Sequence, residues 1–177
     1  ALYSGNIARK QGIEILVEAA RLLRDRQDIS FVICGEGPNR AELERLAAGL
    51  DNIQLHDLQP AERMGAMLTM ADLHLLPQIP GAADLVLPSK LTNMLASARP
   101  VVATADPGTG LFNEVDGCGT LTAPGDAAAL AAAIAALAAD PARRAAFGAA
   151  ARQRAEERWM KDAIIDRVEV GIAELTA

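Results

Sequence analysis

Strand-like and helix-like segments alternate along this chain almost to its end, and that alternation restricts its fold more than any other feature. ISFVICG (residues 30–35 with the preceding isoleucine) is a continuous apolar run closed by glycine. A strand with no polar face belongs inside a parallel sheet covered on both sides. ALYSG, NIQLHDL, ADLHLLP (ended by Pro77), PVVAT and GTLT read as further short strands. Between the first two, Ile13, Leu16, Ala20 and Leu23 recur at helical spacing, with Ile15, Ala19 and Leu22 widening the stripe. NRAELERLAAG is an amphipathic helix stopping at Gly49, PAERMGAMLTM is another with Pro60 near its start, and SKLTNMLASA a third. Asp126 caps an alanine-rich helix, and the pattern is helical from Pro141 onward, with Gly148 and Gly171 as weak points. Repeated strand–helix units with right-handed crossovers predict an α/β fold: a three-layer α/β/α, Rossmann-like, doubly wound parallel sheet followed by carboxy-terminal helices. No linker, charge block or repeat divides residues 1–177.

Composition excludes several functions. A net charge of −6 argues against general affinity for nucleic acid or anionic membranes. The two cysteines, Cys34 and Cys118, have no metal-ligand spacing and suit a reduced, cytosolic protein. The longest apolar run, AAALAAAIAALAA, is too short to span a bilayer. Because the chain opens directly in a strand, it is expected to be part of a longer protein.

In doubly wound sheets, ligands bind outside the carboxyl ends of the strands. The loops there are SGNIARKQG, CGEGPN, HDLQP, PQIPGAADLVLPSK and TADPGTG. In CGEGPN, Gly35 and Gly37 begin a dinucleotide fingerprint, but Arg40 stands where the third glycine belongs. No phosphate-binding glycine-lysine-serine/threonine loop follows any strand. SGNIARKQG is more informative: Gly5 permits a sharp turn, Asn6 offers an amide and Lys10 a cation, a set suited to phosphate. A solvated polar turn is the alternative. Lys90 poses a separate question, since Pro88, Ser89 and Lys90 put a cation at the positive end of a helix dipole. An anion seated there would offset it. A helix beginning near Ser89 puts Lys90, Asn93 and Ser97 on one face and Leu91, Met94, Leu95 and Ala98 on the core face. Lys10 and Lys90 would then face one crevice, as a diphosphate would require.

The run YSGNIARKQGIE, FVICGEGP, ADLHLLP, PSKLTNMLASARPVVAT and PGD resembles the carboxy-terminal, donor-binding domain of retaining group 1 glycosyltransferases of the GT-B architecture. Within that family it is most similar to enzymes of the colanic acid, O-antigen and capsule type. The resemblance implies that Gly5, Asn6 and Lys10 hold a donor diphosphate, which Ser89 and Lys90 at the start of their helix are expected to share, and Gly35, Leu58 (through its backbone), Leu91 and Asn93 are expected to meet ribose and base. It implies an NDP-sugar donor, most simply a UDP-sugar, and a saccharide or lipid-linked acceptor held by an absent amino-terminal domain. No cofactor is expected, and no metal, because the chain has no Asp-x-Asp pair and Lys10 and Lys90 face the site instead. A cytoplasmic enzyme follows, with peripheral membrane association of the full-length protein left open. The chain departs from the family's Glu-x7-Glu pattern: Asn93 stands at the second glutamate and Leu85, beside Asp84, at the first. No residue is assigned a catalytic role. A UDP-sugar 2-epimerase-like domain and a catalytically silent nucleotide-sugar-binding module remain as alternatives. His74 is expected to be a hydrogen-bonded core group, Trp159 an anchor for the terminal helices, and the charges from Arg143 to Arg158 a solvated helix face. His56 precedes the base-side contact and Glu114 has no assigned chemistry.

Overall fold

The computed structural model describes residues 1–8, 11–81 and 87–176. Six strands, β1 (Leu2–Ser4), β2 (Phe31–Cys34), β3 (Ile53–His56), β4 (His74–Leu76), β5 (Val101–Thr104) and β6 (Gly119–Thr122), form one parallel sheet in the order β3-β2-β1-β4-β5-β6. The predicted doubly wound α/β/α architecture is therefore the observed one. Helices α1 (Glu14–Leu22), α2 (Arg40–Ala47), α3 (Met64–Met70), α4 (Lys90–Ala96), α5 (Gly110–Val115), α6 (Ala127–Ala139), α7 (Pro141–Trp159) and α8 (Lys161–Thr176) complete the chain.

Alternation along each strand divides the core into layers. Tyr3, Phe31, Ile33 and Leu75 pack with Leu16 of α1, Leu43 of α2 and Ile134 of α6. On the other face Leu76, Val101 and Ala103 pack with Leu91, Met94 and Leu95 of α4, Leu111 of α5 and Ala151 of α7. Leu2 and Cys34 meet Leu68 and Ala71 beside α3. Asp126 and Asp140 start α6 and α7 by accepting the backbone N–H of Ala129 and Arg143, each at 2.8 Å.

Four details depart from the sequence reading. Helix α4 ends at Ala96, and Ala98 is an exposed residue at φ +58°, not part of the core stripe. It occupies the left-handed position past a helix end where glycine is usual. Gly148 is no weak point: a Cβ there would lie 2.3 Å from the carbonyl oxygen of Ala98, so its bare backbone lets α7 cross the end of α4. The terminal helical stretch breaks at Met160, whose backbone is extended (ψ 146°), while Gly171 lies within α8. Nor is the charged face of α7 merely solvated. The Nη1 atoms of Arg144, Arg152 and Arg154 donate to Ala138 O (2.7 Å), Ala96 O (2.9 Å) and Glu114 O (2.8 Å). These carbonyls lie at the ends of α6, α4 and α5, where no intrahelical partner exists and the dipole favours cations.

Ala98→Gly is expected to stabilise the fold by about 0.5–1 kcal/mol. Relief of the left-handed cost of about 1–2 kcal/mol is partly offset by glycine's greater freedom when unfolded. Urea denaturation showing no gain would mean Ala98 is unstrained.

Candidate functional site

The strand order reverses between β1 and β4, so the crevice above their carboxyl ends is where this sheet would take a ligand. A cleft of about 130 Å³ opens there, lined by Gly5, Leu58, Lys90 and Asn93 of the expected contacts, together with Cys34 and Met67. A wider groove of about 590 Å³ adjoins it through Cys34, Gln59 and Met67 and runs past His56. A hollow of about 330 Å³ beside Asp72 and Arg144 lies at the amino ends of the strands, away from the switch point.

Three glycines let the loops converge. Gly5 leaves β1 at φ +135°, in the region only glycine visits freely, and a Cβ there would lie 3.0 Å from Lys90 Nζ. A Cβ on Gly35 would come within 1.9 Å of Gly5 O, and one on Gly37 within 2.2 Å of Ile7 O. The G-x-G of the second loop thus makes room for the first loop rather than for a pyrophosphate. Arg40 bolts the same corner: its Nη1 donates to Gly35 O (2.6 Å) and His56 O (3.1 Å), and its guanidinium pairs with Glu36, Glu44 and Asp57. That side chain occupies the place where a dinucleotide fingerprint needs a third glycine.

Lys90 is the central polar group of the cleft. Its Nζ lies 2.9 Å from the hydroxyl of Tyr3 and 4.2 Å from the centre of the ring. Burial pushes its pKa down to about 8. No carboxylate among the described residues acts on it. Burial likewise holds the Tyr3 phenol above its ordinary pKa, so Tyr3 stays protonated and donates to Asn6 O at 2.7 Å. The cation is thus drawn off the end of α4, a helix of only seven residues, and carried across the top of the sheet.

The other expected contacts are placed as follows. Asn93 is exposed on the cleft wall, and its amide bonds no described residue. The Asn6 side chain faces Gly37, not the cleft. Ser89 is exposed at the start of α4 and makes no capping bond. Leu91 is fully buried in the core, because the stripe that makes α4 amphipathic turns it inward, and its side chain does not line the cleft. Gly35 lies against Gly5 and does not line the cleft either. Lys10, Asp84 and Leu85 lie outside the described residues. Ser97 is engaged elsewhere, with its hydroxyl 2.9 Å from His74 Nε2 and donating to Met94 O.

His74 is the buried, hydrogen-bonded core group expected, with its pKa pushed down to about 4 by burial. Glu114 joins α5 to the end of α7 by accepting from Arg158 (2.9 Å) and from the indole N–H of half-buried Trp159 (3.2 Å). The sequence reading missed Tyr3. The available signal was a polar-tipped ring, the chain's single tyrosine, in an otherwise apolar strand two residues before Gly5. Among the described residues no three His, Cys, Asp or Glu side chains gather as a metal would need, and no helix is long and apolar enough to cross a membrane.

Fold and cleft together define a doubly wound α/β domain with a cation and an amide at its switch point. The chain belongs to the glycosyl transferases group 1 family, whose model matches residues 1–154. It is 50% identical over 107 residues to a protein named colanic acid biosynthesis glycosyl transferase WcaI from Escherichia coli K12, covering 59% of this chain and 26% of that protein. It is 40% identical over 80 residues to the alpha-D-kanosaminyltransferase of Streptomyces kanamyceticus, covering 43% of this chain and 21% of that one. The chain therefore spans between a fifth and a third of the length of the curated relatives it matches. Among solved structures, Anabaena Alr3699/HepE in complex with UDP superposes with a TM-score of 0.80 at 18% identity, covering 98% of this chain and 48% of that one. TarM gives 0.78 at 20% identity, over 94% of this chain and 33% of that one. Both share its fold.

Proposed function

We propose that this chain is the donor-binding part of a glycosyltransferase that uses an NDP-sugar, with UDP as the nucleotide, in the synthesis of a bacterial cell-surface polysaccharide. The observation that carries this reading is Lys90, a half-buried ammonium without a carboxylate partner among the described residues, at the mouth of the switch-point cleft. A buried charge ordinarily has a partner, and a diphosphate would supply one. Asn93, one helical turn on, would hold the ribose hydroxyls, and the groove beyond Leu58 would receive the base. Lys10, outside the described residues, is the proposed second cation. During transfer this half would steady the diphosphate leaving group and offset its developing charge. The acceptor, a saccharide or lipid-linked saccharide, would bind another domain of the full-length protein, which would work in the cytoplasm or at the inner face of the membrane. The relatives' names support the polysaccharide setting, and the UDP complexes of solved relatives support the nucleotide.

Asn93, in place of the family's ribose-binding glutamate, favours one competing reading: a module that binds the nucleotide sugar without turning it over. Transfer of radiolabelled sugar by the full-length protein separates the two.

Binding should need no divalent cation, because ammonium groups would neutralise the diphosphate and no Asp-x-Asp pair occurs in the chain to hold Mg²⁺ or Mn²⁺. The expected result is that UDP raises the melting temperature, that ADP and GDP raise it less, and that EDTA leaves the shift unchanged. Loss of the shift in EDTA and its return with Mn²⁺ would refute the metal-free account.

A further inference from the structure

We infer that Tyr3 is a positioning residue for Lys90, holding its ammonium at the cleft and tying it to the turn of the first loop as one unit. Tyr3 belongs to the core layer of α1 and α6, whereas α4, which carries Lys90, packs on the opposite layer. The two side chains meet only because Lys90 reaches over the carboxyl edge of the sheet beside Gly5. There the ammonium donates to the Tyr3 hydroxyl at 2.9 Å, and that hydroxyl donates to Asn6 O at 2.7 Å. The phenol uses its one proton on the loop carbonyl and its lone pair on the cation. The ring adds a second attraction, with Nζ 4.2 Å from its centre. A long, flexible side chain is thereby fixed at the place where a diphosphate would sit, and the first loop cannot move without loosening it. Preorganised cations are the ones that contribute most to binding a charged leaving group.

Tyr3 acts through Lys90, so its role should appear in the lysine's titration. The titratable groups around Lys90 among the described residues are Tyr3 and, across the cleft, Cys34, both held protonated by burial. The hydroxyl stabilises the charged form of the lysine against the burial that disfavours it. Tyr3→Phe keeps the ring and removes the hydroxyl, and with it both the acceptor for Lys90 and the donor to Asn6 O. The midpoint of Lys90 should then fall by roughly one unit.

The anchoring of Lys90 stands on contacts within the chain, while its consequence for the diphosphate rests on the donor-site reading above. The test has an arm for each. The chain has three lysines, so the Lys90 side-chain NMR signal can be assigned with Lys10→Arg and Lys161→Arg. Expected in the unliganded protein are a Lys90 midpoint well below the ordinary lysine value of about 10.4, upfield-shifted Lys90 ε-protons from the Tyr3 ring current, and a lower midpoint in Tyr3→Phe. An unshifted ε-proton signal in the wild type, or equal midpoints in the two proteins, overturns the proposal. The ring-current readout needs no variant and serves even if Tyr3→Phe folds poorly. In the second arm, UDP affinity is measured by calorimetry between pH 7 and 9. Because phosphate binds the protonated amine, affinity should fall up to tenfold per unit above the Lys90 midpoint, and the decline should begin about one unit earlier in Tyr3→Phe. UDP binding with identical pH profiles would overturn the positioning role. Should the NMR results hold while neither protein binds UDP, the donor-site reading fails and the Tyr3–Lys90 anchor stands.

Discussion

Gly35→Ala is expected to lose about 3 kcal/mol or more of stability, which would cut a total near the usual lower bound of about 5 kcal/mol to about 2 or less. The added methyl would stand 1.9 Å from Gly5 O and 3.0 Å from Gly5 C. Neither is the end of a side chain that could turn aside. Gly5 N–H already donates to Cys34 O and Gly35 N–H to His56 O, each at 3.0 Å, so the clash can be relieved only by breaking bonds between neighbouring loops. Arg40, which donates to Gly35 O, would be displaced as well. Gly65→Ala is the control, because a Cβ there meets nothing within 4 Å. It should be neutral or mildly stabilising in a helix. Urea denaturation in which Gly35→Ala matches the wild type would show that the first two loops do not pack as described.

The second large effect concerns binding. Lys90→Met keeps the apolar stem and removes the ammonium, and UDP affinity should fall roughly ten- to a hundredfold, the worth of one hydrogen bond to a charged group. Stability at pH 7 should not fall with it. The folded-state pKa is depressed from 10.5 to about 8, so below that window the unfolded chain holds the proton more favourably than the folded one. The lysine therefore opposes folding at neutral pH, and that penalty fades only as pH rises from about 8 towards 10.5. A variant that binds worse yet melts no lower is the signature of a group kept for its ligand. Equal loss of both would make Lys90 a structural residue.

The sheet was legible because its evidence is local. Apolar runs such as FVIC and VVAT, separated by helical stripes, leave few topologies once right-handed crossovers are required. Gly5, Lys90 and Asn93 could be placed at one crevice because strand ends and a short helix determine where they emerge. What escaped the sequence depends on reach between distant elements. Tyr3 and Lys90 are 87 positions apart and come from opposite layers, and no periodicity reports that a side chain will cross the sheet edge. Gly35 looked like a ligand-facing glycine because a close approach to a phosphate and a close approach to another loop demand the same bare backbone. Leu91 lies between Lys90 and Asn93 in sequence, but its own place on the helical stripe turns it into the core. The α7 arginines read as a wet surface because the carbonyls they bond lie as far as 56 residues away in Ala96.

The central claim is that a nucleoside diphosphate seats at the switch point with its phosphates against Lys90. A crystal structure of the protein grown with UDP tests it most directly. The account predicts phosphate oxygens within hydrogen-bond distance of Lys90 Nζ beside Gly5, the ribose at Asn93 and the base beyond Leu58. UDP bound at the amino ends of the strands, or a cleft left empty at saturating UDP, would contradict it.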